Sequence, residues 1–206
     1  MNVIFIIDRI IKIEEDFIMK KSSVIIIFII AIIAIIAIAM VNGYNGMVSK
    51  EENVESSLSN LDVMLQRRAD LIPNLVSTVK GYASHENEII DKVTDARTKL
   101  VNAKSIEDKS SANDELTNSL NALMVVVENY PDLKSSENFK QLSDELAGTE
   151  NRIAVARRDY NNSVKNLNTT IKRFPNNILA GMFGFEKATY FEAEESSSEV
   201  PSVNFE

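Results

Sequence analysis

Cysteine is absent from the 206-residue chain. That excludes disulfides, thiolate nucleophiles, Fe–S clusters, cysteine-type zinc sites and lipid attachment through sulfur, and it leaves the redox compartment open. Tryptophan is also absent, and His85 is the only histidine. A metal site needs several converging ligands, so a site at His85-Glu86 would have to be completed by carboxylates alone. Di-metal bundles set Glu-x-x-His motifs on facing helices, whereas here His85 precedes its glutamates and reads as a surface residue at a helix start. Six glycines and four prolines are too few for the turn-rich all-β and doubly wound α/β folds. Basic residues are in deficit: 22 Lys and Arg face 30 Asp and Glu, for a net charge of -8 and a pI near 4.9. Excess acid argues against nucleic acid as a partner and against docking on an anionic membrane through a basic patch. Neither a nucleophile elbow nor a phosphate-cradling glycine loop is present, so no cofactor and no small-molecule substrate are expected.

What the chain does have is an unbroken apolar run from Val24 to Val41. As a helix it would extend about 27 Å at 1.5 Å per residue, close to the thickness of a bilayer core. In lipid, where each segment must pair its own backbone groups, the modest helix propensity of its isoleucines matters little. A single-pass transmembrane helix over 24–41 is therefore expected, with lipid as its partner. The competing reading is a cleaved signal peptide, with Met19-Lys20-Lys21 as its start and Ala37-Ile38-Ala39 as its cleavage site. Continuation of the run through Met40 and Val41 weighs against it. Residues 1–23 form a separate N-terminal segment. Met19-Lys20-Lys21 looks like a natural start, which makes 1–18 a candidate for a mis-assigned start. Lys20 and Lys21 lie before the run and only Lys50 lies close after it, so the charge bias puts the rest of the chain outside the cytoplasm.

From Tyr44 onward the apolar period is helical. Val54, Leu58, Leu61 and Leu65 make one stripe, and Ile72, Leu75, Val79 and Tyr82 make the next. Pro73 is expected in the first turn of a helix starting near Asp70. Ser84 is a candidate cap for a restart whose stripe is Ile89, Val93, Ala96 and Leu100. Lys104 to Ser111 reads as a loop. A third helix follows near Asn113 with Leu116, Leu120, Leu123, Val127 and Tyr130, and Pro131 stops it. The clearest pattern is Phe139, Leu146, Ile153, Tyr160, Leu167 and Phe174, each seven residues from the last. Leu142, Thr149, Ala156 and Ser163 keep the same period. This coiled-coil-like heptad predicts a long helix packed lengthwise on near-parallel or antiparallel neighbours. Ile178 to Phe185 is expected to fold back over one end. Short connections predict an all-α, antiparallel up-and-down four-helix bundle over 44–185. Residues 186–206, rich in glutamate and serine, read as a disordered acidic tail in which Tyr190-Phe191 docks first.

Particular strings then resemble a known family. They are Gly43-Tyr44-Asn45; Gln66-Arg67-Arg68-Ala69-Asp70-Leu71-Ile72-Pro73-Asn74-Leu75-Val76; Val79-Lys80-Gly81-Tyr82-Ala83 with His85-Glu86; and Glu128-Asn129-Tyr130-Pro131-Asp132-Leu133-Lys134. Asn138-Phe139, Leu142, Glu145-Leu146, Thr149-Glu150-Asn151-Arg152-Ile153, Ala156-Arg157, Tyr160-Asn161, Phe174-Pro175 and Tyr190-Phe191 follow in order. Together they resemble the LemA family over nearly all of Tyr44 to Phe191. The resemblance implies an N-terminal membrane helix, a bundle of four long helices and no known catalytic residue. It also implies a short N-terminus outside the cell, opposite to the charge bias, and the orientation stays open on the sequence alone. The N-terminal extension and the acidic tail depart from the family pattern.

One polar set recurs in these strings: Arg67, Arg68, Asp70, Asn74, Glu150, Asn151, Arg152, Arg157 and Asn161. Two uses compete for it, inter-helix bonds that fix register and a patch that docks a partner. The reading that follows is a membrane-anchored, non-enzymatic scaffolding module at the bacterial envelope with a protein partner. A peptide or signal receptor with a groove between helices is the alternative, and a hydrolase with an acidic cleft is a further one.

Overall fold

The computed structural model describes residues 3–192. The chain forms α1 (Val3–Tyr82), α2 (Asn87–Asn102), α3 (Ile106–Val127), α4 (Pro131–Ser135), α5 (Glu137–Lys172) and α6 (Asn176–Phe183), and among the described residues there is no strand.

The apolar run, the stripe after it and the helix expected to start near Asp70 are one helix of 80 residues. Ser23 to Ala39 are all exposed, so this part of α1 has no protein cover. It is long and apolar enough to cross a membrane. Packing begins at Met40 and Met47. It offsets the roughly 1 kcal/mol that each of Gly43 and Gly46 costs a helix interior relative to alanine. Gly43 also permits a close approach: a Cβ there would stand 2.8 Å from Leu179 Cδ1 and 3.1 Å from Asn176 Oδ1 of α6.

Pro73 lies well inside α1, not in the first turn of a new helix. A proline cannot donate to the carbonyl four residues back. That carbonyl, on buried Ala69, instead accepts a 2.8 Å hydrogen bond from Arg97 Nε of α2. A side chain from the next helix thus replaces the missing backbone donor, and α1 runs on to Tyr82.

Helix α2 returns antiparallel to α1 and pairs with α3, where Lys99 meets Glu115 at 2.6 Å. Most of the loop expected over Lys104 to Ser111 is helical. Ser105 Oγ accepts from Asp108 N at 3.0 Å, and Glu107 and Asp108 occupy the first turn. Hydroxyl cap and acidic first turn together start α3 seven residues before Asn113. The restart after α1 is at Asn87, with Ser84 in the turn and no side-chain cap. Ser136 caps α5 at Phe139 N.

Helix α5 runs antiparallel to α1 along its packed length. Phe139, Leu146, Ile153, Tyr160 and Leu167 of the heptad are buried, joined by Val164 and Ile171. Phe174 is not: α5 ends at Lys172, Arg173 is extended, and Phe174 is 80% exposed. Tyr82, expected on the core stripe of α1, is also exposed because it sits in the helix's last turn. Past the apolar run, α1 packs mainly on α5, with α6 beside it at Gly43. In the extended chain that follows α6, Phe191 docks, as expected of Tyr190-Phe191. Residues 186–192 are placed and Phe191 is buried, while the tail beyond Glu192 lies outside the described residues.

Candidate functional site

Arg68 is the charged residue at the centre of the packed region, 3% exposed. Its guanidinium donates to Asn113 Oδ1 at 2.8 Å and to Thr117 Oγ1 at 3.0 Å, both on α3. Glu150 Oε2 of α5 lies 2.8 Å from Arg68 Nη1. That contact is an ion pair without good hydrogen-bond direction, and Arg68 Nε has no partner. Burial pushes the Arg68 guanidinium below its usual range, against the opposing pull of Glu150 and Asp114. An arginine stays charged even so. One side chain of α1 therefore ties three helices, and a slip in register of any of them would strand a buried charge.

The second polar device faces the chain after α6. Asn161 Nδ2 donates to the Phe191 carbonyl at 3.0 Å, and Phe191 N donates back to Asn161 Oδ1 at 2.9 Å. Asn168 does the same with Ala188, at 2.9 and 3.0 Å. The two asparagines are seven residues apart on α5 and their partners three apart in the extended chain. Seven helical residues rise about 10.5 Å and three extended ones about 10 Å, so the two repeats match. Each carboxamide pairs with the extended backbone as a neighbouring strand would. Tyr160 Oη donates to the Thr189 carbonyl at 2.7 Å, and Ser110 Oγ donates to the Glu192 carbonyl. Burial raises the Tyr160 pKa, with Glu107 and Asp62 adding to the effect. The strap over 188–192 thus lies along α5 and ends against Ser110 of α3.

The predicted polar set divides. Arg68, Glu150 and Asn161 work inside the fold. Arg67, Asp70, Asn74, Asn151 and Arg152 are exposed, and Arg157 is half-buried. Asp70 accepts from Gln66 at 2.7 Å on the same helix, and the Asn74 carbonyl accepts from Thr78 Oγ1. Asn151 and Arg152 rim an open groove of about 410 Å³ between α1 and α5, floored by Met64, Val155 and Ala156. Arg67 and Asp70 line a larger one of about 650 Å³ beside the Asp62–Lys109 ion pair.

Sequence reasoning did not single out Asn113, Thr117, Asn168 or Tyr160 as working residues. The signal for Asn168 was available, since Asn161 and Asn168 stand one heptad apart next to core positions. Asn113 had no local mark, because its role exists only where α3 faces Arg68. His85 is exposed in the turn after α1, and Glu86 accepts from Tyr130 Oη at 2.7 Å, joining two turns. That bond raises the Tyr130 pKa. Among the described residues no group of three or more His, Asp and Glu converges as a metal site.

Comparison with known proteins bears on the same residues. A model of the LemA family matches residues 57–205. Magnetosome protein MamQ 2 of Paramagnetospirillum magneticum is 32% identical, over 78% of this chain and 68% of that protein. Magnetosome protein MamQ of Magnetospirillum gryphiswaldense is 29% identical over the same shares. Protein LemA of Metamycoplasma hominis is 28% identical over 73% of this chain and 69% of its own length. The match spans Arg68, Asn113, Glu150, the clamping asparagines and the strap, and the chain belongs to the LemA family.

Proposed function

We propose that this chain is a non-enzymatic interaction module. It is anchored in a bacterial membrane by residues 24–41, and α1, α2, α3 and α5 form an antiparallel up-and-down four-helix bundle. The carrying observation is the groove between α1 and α5, where exposed Asn151 and Arg152 border Met64 and Val155. An apolar floor with a polar rim that carries both Arg152 and Asp159 suits a helix or extended segment of a protein partner. The anchor confines that groove to the membrane plane and raises its effective concentration there. Relatives named for a structure, the magnetosome, and not for a reaction favour the same reading. The charge bias around the anchor favours a bundle outside the cytoplasm.

A photo-crosslinking side chain at Val155 in intact cells tests the docking role. The expected result is one discrete protein adduct that Arg152→Glu abolishes and that a crosslinker at Val125 does not give. Adducts indifferent to position, or none, reject it. Orientation is read separately from a single cysteine at Ser84, in the turn far from the anchor. Labelling by an impermeant maleimide in intact cells supports the outside placement, and protection until lysis rejects it.

A further inference from the structure

Beyond the anchor itself, Ile178, Met182, Phe183 and Phe174 hold every exposed isoleucine, methionine and phenylalanine among the residues described at side-chain level. The other exposed large apolar residues there, leaving Tyr44 aside, are Val63, Tyr82, Val101, Val125 and Val155, spread over α1, α2, α3 and α5. Single exposed apolar residues are ordinary, whereas a contiguous group marks a contact surface. This group sits on α6 and the turn before it. Leu179 and Ala180 face inward and are buried, while Ile178 and Met182, one helical turn apart, face outward.

The position of α6 along α1 identifies what covers that face. Leu179 and Asn176 abut Gly43. Tyr44 packs edge-on against Phe183 and Phe185, at centroid distances of 4.8 and 5.7 Å. Gly43 and Tyr44 follow Val41, the last residue of the apolar run, by two and three positions. That is a rise of about 3–5 Å. The polar interfacial layer on each side of a bilayer is about 5–7 Å thick. An apolar face held at that height meets lipid before it meets water.

We infer that α6 is a membrane-surface foot. Ile178, Met182, Phe183 and Phe174 enter the interfacial layer of the same bilayer that α1 crosses. The inference rests on the proposed spanning of residues 24–41. The contact is apolar and so is compatible with the chain's acidic charge. Lys172 and Arg173, exposed at the end of α5, have stems long enough to lie along it and lift their charges to the headgroups. With two attachments, one through the bilayer and one on its surface, the bundle could neither spin about α1 nor tilt freely.

The test uses the full chain in phosphatidylcholine vesicles. Because native cysteine is absent, single fluorophore labels can be placed by Met182→Cys, Val125→Cys and Ile33→Cys. Brominated acyl chains should quench the labels at 182 and 33 but not at 125. Iodide in the water should quench 182 about fivefold less than 125, as for a face sunk in the interface. A label at 182 that behaves like the one at 125 overturns the inference and leaves the anchor intact. Shielding of 182 from both quenchers overturns it too, because protein and not lipid would then be the cover. Failure of brominated lipid to quench 33 rejects the spanning reading itself, and the foot with it.

Discussion

Arg97 Nε donates to the Ala69 carbonyl at 2.8 Å, and Ala69 is the residue whose helical partner would have been the N–H that Pro73 lacks. The bond converts a helix-breaking residue into a docking point between α1 and α2. It follows that the cost of losing Arg97 depends on Pro73. Arg97→Ala should destabilise by about 1–2 kcal/mol, because it leaves a buried acceptor unpaired. In a Pro73→Ala background, where the backbone supplies the donor, the same change should cost about 1 kcal/mol less. Denaturant titration of the four proteins of this cycle measures the difference, and strictly additive effects would contradict the pairing.

Much of this architecture is legible in the sequence because burial repeats with helical period. Phe139, Leu146, Ile153, Tyr160 and Leu167 fall on the core side as their spacing requires. What escapes is decided by partners distant in the chain. Pro73 looks like a boundary until Arg97 is seen opposite it. Phe174 continues the heptad in sequence, but the helix has already ended at Lys172. Most of the strap looks like the start of an acidic tail because Asn161 and Asn168 hold its backbone, and of its own side chains only Phe191 is buried. Among the polar set, burial separates Arg68 from its neighbour Arg67, and nothing local to the Arg-Arg pair tells them apart.

Arg68 should be the least replaceable charged residue in the bundle. Arg68→Ala strands Asn113, Thr117 and Glu150, and a loss of about 3 kcal/mol is expected. Glu150 has a side chain 45% exposed to solvent. Glu150→Gln should therefore cost only about 1 kcal/mol, solvent screening the rest. All three contacts are made by Arg68 Nη1, at the far end of the side chain, so the shorter lysine of Arg68→Lys should recover only part of the loss. Chemical denaturation ranks the three, and a near-neutral Arg68→Ala would refute the node.

The strap makes a separable prediction. Asn161→Ala should release Phe191 and speed hydrogen exchange at its amide by roughly tenfold or more, as loss of about 1.4 kcal/mol or more of local protection implies. Asn161→Asp keeps the acceptor for the Phe191 N–H but presents a carboxylate to the Phe191 carbonyl, so exchange should again quicken. Asn168→Ala should act on Ala188 first. Unchanged exchange at both amides would show that the carboxamides do not hold the segment.

Tyr160 gives the strap a pH dependence. Its folded pKa is raised, first by burial and then by Glu107 and Asp62. The neutral phenol is thus favoured by folding. Its stabilising contribution is full below the ordinary tyrosine value of about 10 and is lost as pH climbs through the higher folded value. The phenolate also has no proton to give the Thr189 carbonyl. Exchange at strap amides, corrected for intrinsic rate, should accelerate above about pH 10 in the native protein. Tyr160→Phe should already be loosened at neutral pH and lose that step. A native profile parallel to that of Tyr160→Phe would count against the bond.

The claim on which the rest stands is that α1 passes without a hinge from lipid into the bundle, through Gly43 and Gly46. Spin labels at Ile36→Cys and Ser59→Cys in the reconstituted full chain measure this by pulsed electron paramagnetic resonance. An uninterrupted helix places the two backbones about 35 Å apart with a single narrow distribution, from 23 residues at 1.5 Å each. A broad distribution, or one centred well below that distance, would mean that the bundle swings on a joint at the membrane surface.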